Sequence, residues 1–308
     1  MAESLVVAIG GPTASGKSET AIWLAKKINA EIISADVMQS YRQLDIGTAK
    51  INIDDMQGIA HYMIDEFSPY ENVDISTYTK RALKYEQEVI QKNKAPIITG
   101  GSGLYLDSII YDSYTYEENT ASSEIRQELE TLYKQKGGSY MYAFLESCDP
   151  EYAEITHPNN INRIIRALEY YKVSGRKKSD NLKIKKLRYN NTFYFAVSMD
   201  RNNLYERINK RVDIMVEKGL IEEVKRLIDM GVSLSYNAMK AIGYKEIASA
   251  LLNNTDIDDA VELVKQKSRN YAKRQMTWFN ANKDIIWIKE DKPFRMAERI
   301  AGIINERK

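Results

Sequence analysis

Eight residues, Gly11-Pro12-Thr13-Ala14-Ser15-Gly16-Lys17-Ser18, follow the spacing G-x-x-x-x-G-K-S/T. The glycines let backbone N–H groups turn inward around an anion. Lys17 reaches terminal phosphate oxygens, and the Ser18 hydroxyl is an oxygen ligand for Mg²⁺. Four such positions match by chance in a chain of this length on the order of 1% of the time. The chemistry to expect is the binding of a di- or triphosphate. Two further groups stand near it in the sequence pattern. Asp36 closes the apolar run Glu31–Ser34, and Gly100-Gly101-Ser102-Gly103 follows Ala95–Thr99. Carboxyl ends of parallel strands converge on a ligand, so Asp36 suits a base or an orienting acceptor, or else simply caps a turn. The glycine cluster suits the close approach of a substrate. A P-loop ATPase would show an acid at the end of that strand, and none is present.

Two basic tracts could meet nucleic acid. Arg163 and Arg166 share one helix face, opposite an Ile/Leu stripe, and open a segment from 159 to 190 with ten bases and two acids. The preceding segment, 114–158, has nine acids and three bases. Lys265–Lys283 holds Lys265, Lys267, Arg269, Lys273, Arg274 and Lys283 without an acid, interleaved with Tyr271, Trp278 and Phe279. That mixture fits stacking on single-stranded RNA, and it also fits a long core helix. His61 reads as a buried structural histidine, His157 as a turn residue and Cys148 as a packed thiol.

These residues need a frame. Leu5–Ile9, Glu31–Ser34, Ala95–Thr99, Phe193–Ser198 and Ile285–Ile288 read as short strands. Lys17–Asn29 and Thr77–Lys92 read as helices between them. Strand–helix alternation implies a parallel sheet with helices on its faces. From about 113 to 189 the spacing is helical with no strand, broken at Gly137-Gly138. Further helices are expected over Leu204–Val216, Leu220–Asp229, Tyr244–Leu252 and Asp258–Asn280. The expected fold is α/β: a P-loop NTPase-like parallel sheet core (1–113 and 191–308) with a helical insertion (114–190).

The 308 residues carry a net charge of +1, with 44% apolar and 28% charged residues, which excludes wholesale disorder. No apolar run approaches the ~20 residues that cross a bilayer. The N-terminus lacks the positive region of a secretory signal, and the expected compartment is the cytoplasm. One cysteine and two histidines exclude a Cys/His zinc cluster.

Assembled, the pattern resembles the bacterial tRNA dimethylallyltransferases, the adenosine-37 isopentenyltransferases. The strings are GPTASGKS at 11–18, EIISAD with Gln39 and Tyr41, DIGTAK at 45–50, ITGGSGLY at 98–105 and HPNN with RIIRALE over 157–169. RVDIMVEKGLIEEV at 211–224, AIGYKE at 241–246 and RNYAKRQMTWF at 269–279 complete them. The resemblance implies transfer of a dimethylallyl group from its diphosphate to N6 of adenosine 37, in tRNAs that read codons beginning with U. It implies that the loop 11–18, though of nucleotide-binding type, holds an isoprenoid diphosphate, with Arg211 as a further contact and Mg²⁺ as cofactor. Asp36 would take the amine proton, Ser102 would line the reaction channel, and Lys17 would stabilise the departing diphosphate. Asp36, Val37, Met38, Gln39, Ser102, Glu124, Asn162, Arg163, Ile164, Ile165 and Arg166 would contact the anticodon stem-loop, as would the basic C-terminal helix. A monomer is expected. Three positions depart from the family pattern: Val37 stands where Ser is frequent, Ser102 where Thr is common, and Asn162 where Gln is usual. Rival readings are an adenylate isopentenyltransferase, a small-molecule P-loop kinase, and an RNA-binding module without catalysis.

Overall fold

The computed structural model describes residues 4–112, 122–182 and 186–307. Glu117, Glu118, Lys183 and Lys185, which belong to the charge-segregated segments, lie outside them. The chain divides into two compact units, residues 1–110 with 188–308, and residues 111–187.

The larger unit is built on six strands: β1 (Val6–Gly10), β2 (Ala30–Ser34), β3 (His61–Tyr62), β4 (Ala95–Gly100), β5 (Thr192–Val197) and β6 (Ile286–Ile288). All pairings are parallel, in the order β3-β2-β4-β1-β5-β6. Every residue of β1, β2 and β4 is buried. Strands covered on both faces lose the polar alternation of a half-exposed sheet, hence runs such as Val6-Val7-Ala8-Ile9. α1 (Lys17–Ile28) follows β1, α2 (Ile75–Gln91) precedes β4, and α3 (Gly103–Ile110) follows it.

Beyond the smaller unit come α7 (Arg201–Glu217), α8 (Leu220–Asp229), α9 (Tyr244–Asn253), α10 (Ile257–Ala281) and α11 (Pro293–Glu306). Val7, Ile9, Ile32, Ile97 and Phe195 meet α1 and α11 on one face of the sheet, through Leu24, Met296 and Ile300. Residues 293–306 carry no predicted element, yet Met296, Ile300, Ile303 and Ile304 recur at helical spacing and are buried. α3 begins at Gly103, the last residue of the glycine cluster. β3 was unpredicted: with only two residues it has no periodicity to read.

The smaller unit holds α4 (Ser123–Cys148), α5 (Pro150–Glu154) and α6 (Ile161–Ser174). Ser122 and Asn160 cap α4 and α6 through their side chains. Gly137, at φ 80° and ψ 174°, kinks α4 where the double glycine predicts a break. Leu129, Met141, Leu145, Tyr152, Ile164 and Leu168 form its core. Among the described residues no helix is long and apolar enough to cross a membrane.

Candidate active site

The sheet order places the exits of β1 and β4 side by side, with Gly10 paired to Gly100. Connections leave β1 toward β2 on one side and reach β5 on the other, so a crevice opens at these carboxyl ends. Gly10 has no room for a side chain, because an added Cβ would lie 2.5 Å from the Phe279 ring. After Gly11 the loop passes through two left-handed residues, Ala14 (φ 63°) and Gly16 (φ 90°). An alanine there costs about 1–2 kcal/mol, a strain often stored where backbone clamps a ligand. Gly16 caps α1 without a side-chain hydrogen bond, which leaves the first N–H groups of the helix to an anion. Ser15 Oγ is buried and finds no hydrogen-bond partner among the described residues.

Lys17 folds over this loop, its Nζ donating to the Pro12 carbonyl at 3.2 Å. Burial, seconded by the Arg211 charge, lowers its pKa from 10.5 to about 8, and Asp36 opposes the shift. Arg211, on α7, donates from Nη2 to the Thr48 carbonyl at 3.2 Å. Burial lowers its pKa too, again against the pull of Asp36. Two cations thus converge on one place that holds too little negative charge for them.

Asp36 follows β2. Its Oδ1 accepts the Met38 N–H at 3.1 Å, so it does cap a turn, and it lines the same cleft. The cleft has a volume of about 870 Å³, and its walls include Thr13, Ala14, Gly16, Lys17, Ser18, Asp36, Gln39, Gly101, Arg211 and Tyr271. Gly11, Pro12 and Ser15 are buried behind it. Gln39 borders the cleft, but its amide is engaged by Ser34 Oγ and the Thr48 carbonyl. Val37 and Met38 are half-buried. Ser102 is half-buried at the start of α3 and reaches the Tyr271 hydroxyl, as does Gln275. Burial and the Asp36 charge push that hydroxyl up to about 12, so it stays protonated.

No three His, Cys, Asp or Glu side chains cluster as a metal site among the described residues. Ser18 is exposed in the first turn of α1, beside Lys17. One hydroxyl suits Mg²⁺, which keeps several waters and binds through substrate phosphates rather than a protein cage.

In the smaller unit, Asn162, Arg166 and Glu124 are exposed. The Arg163 guanidinium lies 5.0 Å over the Tyr152 ring, and Nε donates to its hydroxyl at 3.2 Å. Lys178 is held below its usual pKa by burial and by Arg166. Ile164 and Ile165 require a correction. They are 0% and 3% exposed, and their side chains form the core of the unit, out of reach of RNA. His157 is a turn residue, its Nδ1 accepting the Asn159 N–H at 3.1 Å. His61 is half-buried and borders the cleft.

A family model described as IPP transferase matches residues 39–282. The chain belongs to the IPP transferase family. A tRNA dimethylallyltransferase of Acetivibrio thermocellus is 46% identical over 290 residues, 93% of this chain and 92% of that one. The crystal structure of a tRNA isopentenylpyrophosphate transferase from Bacillus halodurans aligns with a TM-score of 0.73 at 37% identity, over 99% of this chain and 98% of that one. A eukaryotic dimethylallyltransferase captured acting on tRNA aligns with a TM-score of 0.82 at 26% identity, over 99% of this chain and 80% of that one.

In this IPP transferase the basic helix α10 fits the core-helix reading only in part. Phe279 is 0% exposed beneath Gly10, and Trp278 packs on Gly103 while donating to Asp107 Oδ2 at 3.2 Å. Lys265 pairs with Asp213 and Glu262, and Lys267 with Glu246. Phe279 packs against the sheet and part of the charge is neutralised internally, while Trp278 is 40% exposed and Tyr271 lines the cleft. The Thr13 N–H donates to Gln275 Oε1 at 2.9 Å. Sequence reasoning missed Gln275, a buried polar residue one helical turn beyond Tyr271. It also missed Glu223, whose carboxylate accepts from the backbone N–H groups of Asp45, Ile46 and Gly47 and from the Tyr244 hydroxyl. Neither residue type nor spacing marks these two; burial does.

Proposed function

We propose that this protein is a tRNA dimethylallyltransferase. It moves the dimethylallyl group of dimethylallyl diphosphate to N6 of adenosine 37, giving N6-isopentenyladenosine, in tRNAs that read codons beginning with U. The supporting observation is a single cleft in which an anion loop, Lys17 and Arg211 face Asp36, in a chain of this family. The amides of Ala14, Gly16, Lys17 and Ser18 grip the diphosphate with Lys17 and Arg211. Both cations regain a counter-charge when it binds, and their stabilisation grows as the C–O bond breaks and negative charge gathers on the leaving group. The Ser18 hydroxyl would hold Mg²⁺, which would supply Lewis-acid stabilisation of that charge.

The exocyclic amine is a weak nucleophile because its lone pair is delocalised into the purine. Asp36 accepts its hydrogen bond and then its proton as the C–N bond forms. The protonated Tyr271 hydroxyl, joined to Ser102, borders the acceptor side. Adenosine 37 leaves its stack to react, which costs less in a loop than in a duplex. Glu124, Asn162, Arg163 and Arg166 contact the anticodon stem-loop, Asn162 and Arg166 by direct exposure. The enzyme works as a cytoplasmic monomer, since the tRNA pool is cytoplasmic and one chain supplies every donor-side group.

The test offers labelled dimethylallyl diphosphate with tRNA or with AMP, and in parallel γ-labelled ATP. Label is expected in tRNA adenosine alone. Label in AMP, or turnover of the ATP γ-phosphate with no prenyl transfer, refutes the assignment.

A further inference from the structure

Gln275 is 4% exposed, on α10, and its carboxamide bridges two segments far from it in sequence. Oε1 accepts the Thr13 N–H at 2.9 Å, across 262 residues, and Nε2 donates to the Gly101 carbonyl at 2.9 Å, across 174. The two bonds fix the amide orientation, since a flipped head would set N–H against N–H and oxygen against oxygen. Gly101 fits this head closely: a Cβ there would lie 2.2 Å from Nε2. Thr13 begins the loop that carries Lys17 and Ser18. Gly101 precedes Ser102. A carboxylate has no donor for Gly101, and an alkyl chain satisfies neither partner.

We infer that Gln275 is a positioning residue for prenyl transfer, a strut that holds the donor loop and the Gly101–Ser102 segment at one separation. The inference rests on the proposed reaction for its kinetic consequence. Gln275 lines the cleft, but its amide is engaged by Thr13 and Gly101, and it contributes by keeping the electrophilic carbon and the acceptor in line. Misplacement by about 1 Å costs transfer on the order of 10²-fold. A residue that merely filled the core would be replaced by methionine, close to it in volume, without kinetic effect.

The experiment compares wild type, Gln275→Met, Gln275→Ala, Gly101→Ala and the double Gln275→Ala/Gly101→Ala. It reads kcat and both KM values, melting temperature, and calorimetric binding of inorganic pyrophosphate. For Gln275→Met the expectation is a kcat lower by about 10²-fold, an unchanged KM for tRNA, and a melting temperature lower by a few degrees, because two backbone groups lose their partner. Pyrophosphate binding should weaken by about tenfold, one ordered hydrogen bond's worth. Gly101→Ala should show a similar loss by pushing the amide aside, and the double variant should be no worse than Gln275→Ala. Wild-type kcat and pyrophosphate affinity in Gln275→Met overturn the inference, as do additive losses in the double variant. If wild type itself transfers nothing to tRNA, the reaction assignment falls. The pyrophosphate comparison then still decides the strut.

Discussion

Replacing Lys17 with methionine should make the protein more stable at neutral pH while it loses its grip on the donor. The drop from 10.5 to about 8 amounts to about 3 kcal/mol of disfavoured charge in the ligand-free fold, taken as an upper figure. Below pH 8 the lysine is protonated in both the folded and unfolded chain, so the folded state bears the whole cost. Between about pH 8 and 10.5 the fold has released a proton that the unfolded chain still holds, so this residue's contribution to stability improves as pH rises. The advantage of Lys17→Met is therefore greatest at pH 7 and shrinks above 8. It should raise the melting temperature by several degrees at pH 7, at roughly 2–4 °C per kcal/mol for a unit of this size.

The same titration governs donor capture. The free enzyme is about nine-tenths protonated at pH 7 and one-tenth at pH 9, so kcat/KM for dimethylallyl diphosphate should fall about tenfold per pH unit above 8. The bound diphosphate pulls the lysine back toward its charged form, so kcat should decline only at higher pH. Melting curves of both proteins from pH 6.5 to 10, with pH–rate profiles of wild type, decide the matter. A kcat/KM flat from pH 7 to 9.5, or a variant melting no higher than wild type at pH 7, would refute the reasoning.

Four other outcomes are expected. Asp36→Ala should lower the chemical step by about 10²–10⁴-fold in single-turnover assays while tRNA affinity stays near wild type. Ile164→Ala should destabilise the smaller unit by about 2–5 kcal/mol in denaturant titrations. Arg166→Ala should spare stability and lower the salt slope of tRNA binding by about 1. Glu223→Ala takes the acceptor from three part-buried N–H groups and from the buried Tyr244 hydroxyl, which should cost about 1–3 kcal/mol, measurable by urea unfolding. It should also raise the donor KM, because the 45–50 loop borders the cleft.

Much of the machinery is readable from spacing because it is local. The loop 11–18 needs only its own glycines and the helix after it. Asp36 was marked by ending a strand, and α7 to α10 by 3.6-residue periodicity. Ile164 and Ile165 show the limit of such reading. They sit between Arg163 and Arg166 in one string, yet their side chains turn to the opposite side of α6 and are consumed by packing. α11 carries a plain helical stripe that spacing alone would support, with Pro293 at its first turn.

The chain's own order of residues determined that a phosphate loop exists, that a parallel sheet presents it, and that the segment between α3 and β5 is helical, since each depends on neighbours within a few turns. Tertiary structure alone decided that Thr13 would give its N–H to Gln275, that Phe279 would need a glycine at position 10, and that Arg211 would share a cleft with Asp36. Those pairings join segments more than 170 residues apart. Their energies come from desolvation and close packing, which no local pattern encodes.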